Sequence, residues 1–215
     1  MRCNAGLGSI VCSQRDGIVG LVNRIFTKLA AFALVFLLAT FAVGLSLRSG
    51  NLHDASDKAT QQRGTVHRLS GIAAGLVVVL VNSIVATYFI GTSRWCREVS
   101  ETYGLSGEHV ASSRRLKRRT FPLCVAGMLI AVAIVALGGA ADPGVIIPKP
   151  EALLGWSSLA PVTWAQVHLL AAVLGIAAIL LIFVQQWNQI DANQEVIEGV
   201  LAEVRRIRTE RGLEG

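Results

Sequence analysis

The chain of 215 residues is 53% hydrophobic and only 16% charged, which is too apolar for an ordinary soluble domain. Its net charge of +6 could suit nucleic acid, but the basic residues flank apolar blocks and only 6% of residues are aromatic. These features exclude a nucleic-acid platform and predict an all-α, polytopic membrane protein with a four-helix bundle, whose basic residues set its topology.

Four apolar blocks follow one another, each long enough to cross a bilayer as an α-helix at about 1.5 Å per residue. The predicted spans are residues 29–47, 66–91, 122–141 and 161–187. Residues 1–28 form an amphipathic segment without the apolar core of a cleaved signal peptide. Residues 188–215 continue the fourth helix as a tail. Pro122 suits the first turn of the third helix, and Asp142-Pro143-Gly144 indicates a turn after it.

The distribution of lysine and arginine predicts the orientation. Of the 20 basic residues, four lie in 1–28, seven in a polar loop at 93–119 and four in 188–215. The other two connections carry four together. The positive-inside rule therefore places both termini and the 93–119 loop in the cytoplasm. This rule explains the basic run from Arg114 to Arg119, and binding of anionic lipid or of a partner protein is a second interpretation.

The tail carries a rough apolar heptad. Ile190, Ile197 and Val204 repeat at seven-residue intervals, whereas Asn193 and Gly199 weaken the pattern. About three heptads is the lower limit for a coiled coil. The tail is therefore predicted either to mediate self-association or to pack as an amphipathic helix on its own chain.

Other motifs contribute little. None of the four cysteines forms a CxxC or CxxCH pattern, so zinc fingers and covalent c-type haem are not predicted. Cys3 and Cys12 could pair or hold a metal, but a zinc site usually has four ligands. His53 and His109 lie in polar segments, where we expect them to be solvated. There is no phosphate loop, nucleophile elbow or HExxH motif, so we expect no enzyme activity from the chain alone.

Two histidines occupy matched places at the start of the second and fourth spans. His67 precedes an apolar run from Leu69, and His168 precedes one from Leu169. Both helices run inward in the predicted topology, so the two imidazoles lie in the same leaflet, within about one helical turn, ~5 Å, in depth. An ionisable residue at a membrane span indicates a functional site. Two imidazoles at one depth are suited to axial ligation of a haem iron.

Small and basic residues accompany these histidines. Gly71 and Gly75 follow His67, and Gly175 follows His168 by two helical turns, which would clear space for a flat macrocycle. Arg68 is suited to bind a haem propionate. The glycines also fit a small-xxx-small pattern for plain helix packing, and a histidine at the interface can simply be hydrated. A metal site without haem is less well supported, because two protein ligands do not complete the coordination of a transition metal ion.

The stretch His67-Arg68-Leu69-Ser70-Gly71 at the start of a span resembles the HRxxG signature of the heme A synthase family. Residues 137–144, a glycine-rich end of a span, and residues 166–172 around His168 also resemble that family. Its members comprise two related four-helix halves. The resemblance covers one such half, roughly residues 29–187.

This resemblance implies a bis-histidine haem b with His67 and His168 as axial ligands. The family's catalytic half has a glutamate three residues before the HR histidine, where this chain has Gly64. The resemblance therefore implies haem binding without heme A synthesis. A weak internal repeat, Val66-His67 against Val167-His168, is consistent with two related helical hairpins.

The resulting hypothesis is a small b-type cytochrome of the bacterial cytoplasmic membrane. It would pass electrons or serve as a subunit of a larger respiratory or redox complex. The alternative is a non-catalytic scaffold or assembly subunit without haem, in which the 93–119 loop and the tail bind partners.

Overall fold

The computed structural model describes residues 7–49, 58–142, 144–150, 152 and 162–212, with side chains from residue 21 onward except at 48 and 49. The described chain is helical, with α1 at Leu7–Ser49, α2 at Lys58–Tyr103, α3 at Gly107–Ala140 and α4 at Trp164–Glu210. Each helix contains a segment long and apolar enough to cross a membrane. This confirms the all-α class and the four candidate spans.

The outward faces of these helices are strongly apolar. Val35, Leu76, Leu174 and Leu181 are each more than 60% exposed. Soluble monomers rarely expose contiguous apolar patches above a few hundred Å². These faces therefore contact lipid, and the protein is integral to a membrane.

The polar segment 93–119, expected as a loop, is helical apart from a short connection. Two ion pairs at i, i+4 spacing support α2 beyond its apolar part: Arg94–Glu98 at 2.7 Å and Arg97–Glu101 at 3.9 Å. The helix ends where Gly104 takes a φ of +67°, which favours glycine. The sequence-based loop was wrong because polarity marks the end of a span without marking the end of a helix.

The expectation for Pro122 was also wrong. The basic run before it is already helical, so Pro122 lies inside α3 and not in its first turn. A proline there cannot donate to the carbonyl four residues earlier, that of Arg118. The turn after α3 is confirmed, because the Val145 amide donates to the Asp142 carbonyl at 3.0 Å. Pro143 lies outside the described residues.

The chain divides into two compact units. The His67/His168 unit comprises residues 31–83 and 124–183. The tail unit comprises residues 84–123, 184–215 and the part of the chain up to Ala30. These assignments hold for the described residues within each range.

In the tail unit, α4 packs on its own chain. Ile190 and Val200 are essentially fully buried. Asn193 is buried as well, and its Nδ2 donates to the Tyr88 hydroxyl at 3.0 Å and to Thr92 Oγ1 at 3.2 Å. This arrangement matches the second interpretation of the tail pattern, whereas self-association stays a prediction.

His109 is part of this packing and is not a solvated loop residue as expected. It belongs to the first turns of α3, and its Nε2 lies 3.2 Å from Glu203 Oε2 on α4. Gly199 gives the ring its space, since a Cβ there would lie 2.7 Å from His109 Cε1. The early start of α3 is what brings the ring against α4.

Candidate functional site

The site is built from two imidazoles, each held by a neighbouring helix. His67 on α2 has its Nδ1 3.1 Å from the carbonyl oxygen of Thr40 on α1. A carbonyl oxygen can only accept a hydrogen bond, so Nδ1 carries the proton and donates it. In the neutral ring this tautomer has its lone pair on Nε2. Donation of the other ring N–H to a carbonyl is the arrangement found in most metal-ligating histidines.

The edge of the His67 ring lies over a glycine. Gly44 follows Thr40 by four residues and so lies on the same face of α1. A Cβ built on Gly44 would be 2.6 Å from His67 Cε1 and 3.2 Å from each ring nitrogen. Any larger residue at this position would displace the imidazole.

His168 on α4 has a similar relation to α3. A Cβ on Gly138 would lie 3.0 Å from His168 Cε1. The main chain of Ile134, four residues earlier, interacts with this imidazole. Among the described residues, no group lies in hydrogen-bonding geometry to the buried Nδ1 of His168, so the contact with the Ile134 main chain is not a formed hydrogen bond.

The two rings are neighbours within the His67/His168 unit, in an edge-on arrangement. Their centroids are 6.2 Å apart and their planes are inclined by 69°. An imidazole nitrogen binds a transition metal at about 2 Å, with the ring centroid roughly 1 Å behind it, so two imidazoles sharing one metal ion have centroids about 6 Å apart. Because each ring can rotate about its metal–nitrogen bond, the interplanar angle is unrestricted. The ring separation fits one shared ion.

The donor set distinguishes haem from a bare metal ion. Among the described residues, no group of three or more histidine, cysteine, aspartate or glutamate side chains could hold a metal. A zinc site normally needs three or four protein ligands. Haem iron takes its equatorial ligands from the macrocycle and needs only axial ligands from the protein. His67 and His168 therefore fit haem better than a bare ion.

Arg68, predicted as a propionate partner, has a partner within the chain. Its guanidinium forms an ion pair with Asp142 and also lies 3.4 Å from Thr65 Oγ1. The Gly144 amide and the Arg68 guanidinium hold the pKa of Asp142 below its ordinary value. Half of the Arg68 side chain stays exposed, so its role towards a propionate remains a prediction.

The predicted glycines lie against neighbouring helices. A Cβ on Gly75 would meet Val135 Cγ2 at 2.9 Å, and one on Gly175 would meet Ile134 Cδ1 at 2.5 Å. Gly71 has more room, with 3.8 Å to the nearest methyl group of α1. These contacts are those of close helix packing, the alternative interpretation of the same glycines. Their part in cofactor binding stays a prediction.

Sequence reasoning missed the groups that hold the imidazoles, Thr40, Gly44 and Gly138. A signal for the glycines is present, because Ala42-Val43-Gly44 and Ala136-Leu137-Gly138 share an Ala-x-Gly pattern one helix before each histidine. His53 lies outside the described residues.

Comparison of the chain with protein-family models, with curated proteins and with solved structures finds no match.

Proposed function

We propose that the protein is an integral membrane protein that binds haem b through His67 and His168. The observation that carries this proposal is the 6.2 Å separation of the two imidazole rings, combined with the Thr40 hydrogen bond, which engages Nδ1 of His67 and leaves Nε2 as the nitrogen that would bind iron. The similarity of residues 67–71 and 166–172 to motifs of the heme A synthase family adds support. Electron transfer, alone or as a subunit of a redox complex, is the activity that two axial histidines support best.

Bound haem would supply the one-electron chemistry. The chain contributes two nitrogen ligands, the Thr40 carbonyl that fixes the His67 tautomer, and apolar helices that limit access of water. His67 and His168 would hold the haem from the two neighbouring hairpins, and with both nitrogen ligands supplied by the chain the iron would carry electrons and bind no substrate. This ligand set favours electron transfer over oxygen activation or other catalysis at the iron.

Heme A synthesis is not part of the proposal. The related family has a glutamate where this chain has Gly64, and no other acidic residue precedes His67 nearby in the sequence. A cytochrome needs only the axial ligands, whereas the oxidising site of that family needs this carboxylate. The chain resembles the haem-binding part of the family without its oxidising site.

The proposed topology places both termini and residues 93–119 in the cytoplasm, in a bacterial cytoplasmic membrane. The support is the location of 15 of the 20 basic residues in those segments. His67 and His168 would then lie towards the outer leaflet, where an electron donor or acceptor outside the cell could reach the haem edge.

The test is the reduced-minus-oxidised absorption spectrum of the full chain, expressed with ample haem and purified in detergent. We expect low-spin b-type bands in the wild type and their loss or conversion to a five-coordinate spectrum in His67→Ala and in His168→Ala. His53→Ala and His109→Ala are the matched controls and should keep the wild-type spectrum.

Two results would contradict the proposal in different ways. A wild-type protein without b-type bands would favour the alternative, a scaffold or assembly subunit without haem. Unchanged bands in both His67→Ala and His168→Ala would retain haem but reject these ligands. Correct membrane insertion of each variant is checked by its extraction behaviour.

A further inference from the structure

Each of the two histidines lies against a glycine of the preceding helix, and only His67 also forms a hydrogen bond to that helix. On α1, the carbonyl oxygen of Thr40 accepts a hydrogen bond from the His67 ring. Gly44, four residues later, has no side chain and so leaves space for the same ring. On α3, Ile134 and Gly138 have the same spacing. The main chain of Ile134 lies near the His168 ring, and Gly138 leaves space for that ring. Residues four apart share one face of a helix. Each pair therefore forms a cradle for one ring.

The two cradles are matched in sequence as well. Gly44 ends the stretch Ala42-Val43-Gly44, and Gly138 ends Ala136-Leu137-Gly138. Each glycine-bearing helix is followed in the chain by the histidine-bearing helix that packs against it. The helical hairpins α1–α2 and α3–α4 thus repeat one local arrangement of a glycine and an imidazole.

We propose that Gly44 and Gly138 are positioning residues that set the orientation of His67 and His168. Each glycine admits the Cε1 edge of the ring, and on α1 the Thr40 carbonyl oxygen also accepts a hydrogen bond from His67. Together the cradles aim the two imidazoles at one shared ligand. This inference deepens the proposed haem site and rests on it for the identity of that ligand, whereas the ring positions themselves do not depend on haem.

The contact distances give the proposal a graded consequence. A Cβ at position 44 would lie 2.6 Å from His67 Cε1, a separation that real structures essentially never show, so the ring has to move. At position 138 the distance to His168 Cε1 is 3.0 Å, which a smaller shift relieves. Movement of the His67 ring also breaks its 3.1 Å hydrogen bond to Thr40. We expect a larger effect from Gly44→Ala than from Gly138→Ala.

Loss of helix stability does not account for such an effect. Within a helix, alanine is favoured over glycine, so both substitutions favour helix formation. Gly139→Ala is a matched control on α3, directly beside Gly138, because no atom of the described residues lies within 4 Å of a Cβ at that position. Gly91→Ala is a second control, on α2, with equally open space.

The experiment uses two readouts on the full chain in detergent. The first is the haem spectrum, in which Gly44→Ala should lose the low-spin bands and Gly138→Ala should shift them, while Gly139→Ala and Gly91→Ala match the wild type. The second is the nitrogen NMR spectrum of ¹⁵N-histidine in haem-free protein, which reports the protonated ring nitrogen of each assigned histidine. The His67 signal should change in Gly44→Ala and the His168 signal in Gly138→Ala.

The two readouts separate this inference from the proposed function. If the wild type binds no haem, the proposed function fails, and the NMR spectra alone decide whether the glycines position the rings. Imidazole signals that stay unchanged in Gly44→Ala and Gly138→Ala overturn the inference, whatever the wild type binds. An unchanged His168 signal in Gly138→Ala, with a changed His67 signal in Gly44→Ala, overturns the equivalence of the two cradles.

Discussion

His67 donates a hydrogen bond from Nδ1 to the carbonyl oxygen of Thr40, 3.1 Å away on the neighbouring helix. Because a carbonyl accepts only, this single contact fixes the tautomer and the direction of the ring. In the neutral ring, the lone pair is then on Nε2. A residue that is unremarkable in sequence, acting through its main chain, thus engages one ring nitrogen of His67 and leaves the other for a proposed ligand.

The His67→Ala variant should regain six-coordinate iron when free imidazole is added. Removing the side chain leaves space beside Thr40 and Gly44 that an imidazole molecule can fill, with the same carbonyl as its acceptor. The measurement is the absorption spectrum of haem-loaded protein during an imidazole titration. His168→Ala should respond more weakly, because the Nδ1 position in that cradle has no formed hydrogen bond. A low-spin spectrum of His67→Ala before imidazole is added would show that another residue is the ligand.

The topology predicts which exposed positions react with an impermeant thiol reagent. Native Cys96 is fully buried and escapes such a reagent from either side. Ser112 and Lys149 are exposed, the first in the 93–119 segment and the second in the connection before α4. In a cysteine-free background, Lys149→Cys should be labelled in intact cells, and Ser112→Cys only after permeabilisation. The opposite pattern would invert the topology and place the histidines near the inner leaflet.

The Arg68–Asp142 ion pair should make stability depend on pH in the acidic range. The pKa of Asp142 is lowered in the folded state by the Gly144 amide and by Arg68, so the unfolded chain binds the proton more tightly. The stabilisation is therefore complete at neutral pH and is lost as pH falls below about 4, the ordinary range of an aspartate. For a partly exposed pair we expect a contribution of at most about 1 kcal/mol.

The measurement for this pair is the unfolding free energy in detergent of the wild type and of Asp142→Asn from pH 7 down to pH 3. The difference between the two proteins should be constant near neutrality and should shrink towards zero in acid. A difference that grows as pH falls would mean that the carboxylate destabilises the fold.

The apolar blocks were sufficient to predict four membrane helices, because each block alone approaches the bilayer thickness. The pairing of His67 with His168 was also accessible, since both begin an apolar run and both helices run in the same direction. The helical structure of residues 93–119 could not be predicted in this way. It is stabilised by ion pairs such as Arg94–Glu98, and the hydropathy of such residues is the same in a helix and in a polar loop.

The cradles show a second limit of the sequence. The Thr40 hydrogen bond uses main chain, so the identity of the residue carries no signal. Gly44 and Gly138 share an Ala-x-Gly pattern, but Gly75 has it too, so the pattern alone does not identify the glycines opposite an imidazole. Which residues of two helices lie opposite each other depends on the rotation of each helix about its own axis. The apolar pattern determines that rotation only approximately.

Gly127→Ala should destabilise the His67/His168 unit, because the added methyl group would overlap with the buried side chain of Asn82. Asn82 is fully buried on α2, and its Nδ2 donates to the Val78 carbonyl at 2.9 Å. A Cβ at position 127 would lie 2.7 Å from Asn82 Oδ1 and 2.9 Å from Nδ2. The amide is held by its hydrogen bond and cannot move away without losing it.

We expect Gly127→Ala to lower the unfolding free energy by about 1–3 kcal/mol, the usual cost of overpacking, despite the better helix propensity of alanine. The measurement is chemical or thermal unfolding in detergent, with Gly139→Ala as a control that should be unchanged or slightly stabilised. Asn82→Ala combined with Gly127→Ala should destabilise less than the sum of the single variants, since the smaller side chain removes the overlap. If the effects of the two single substitutions simply add, overlap with Asn82 is not the cause of the destabilisation by Gly127→Ala.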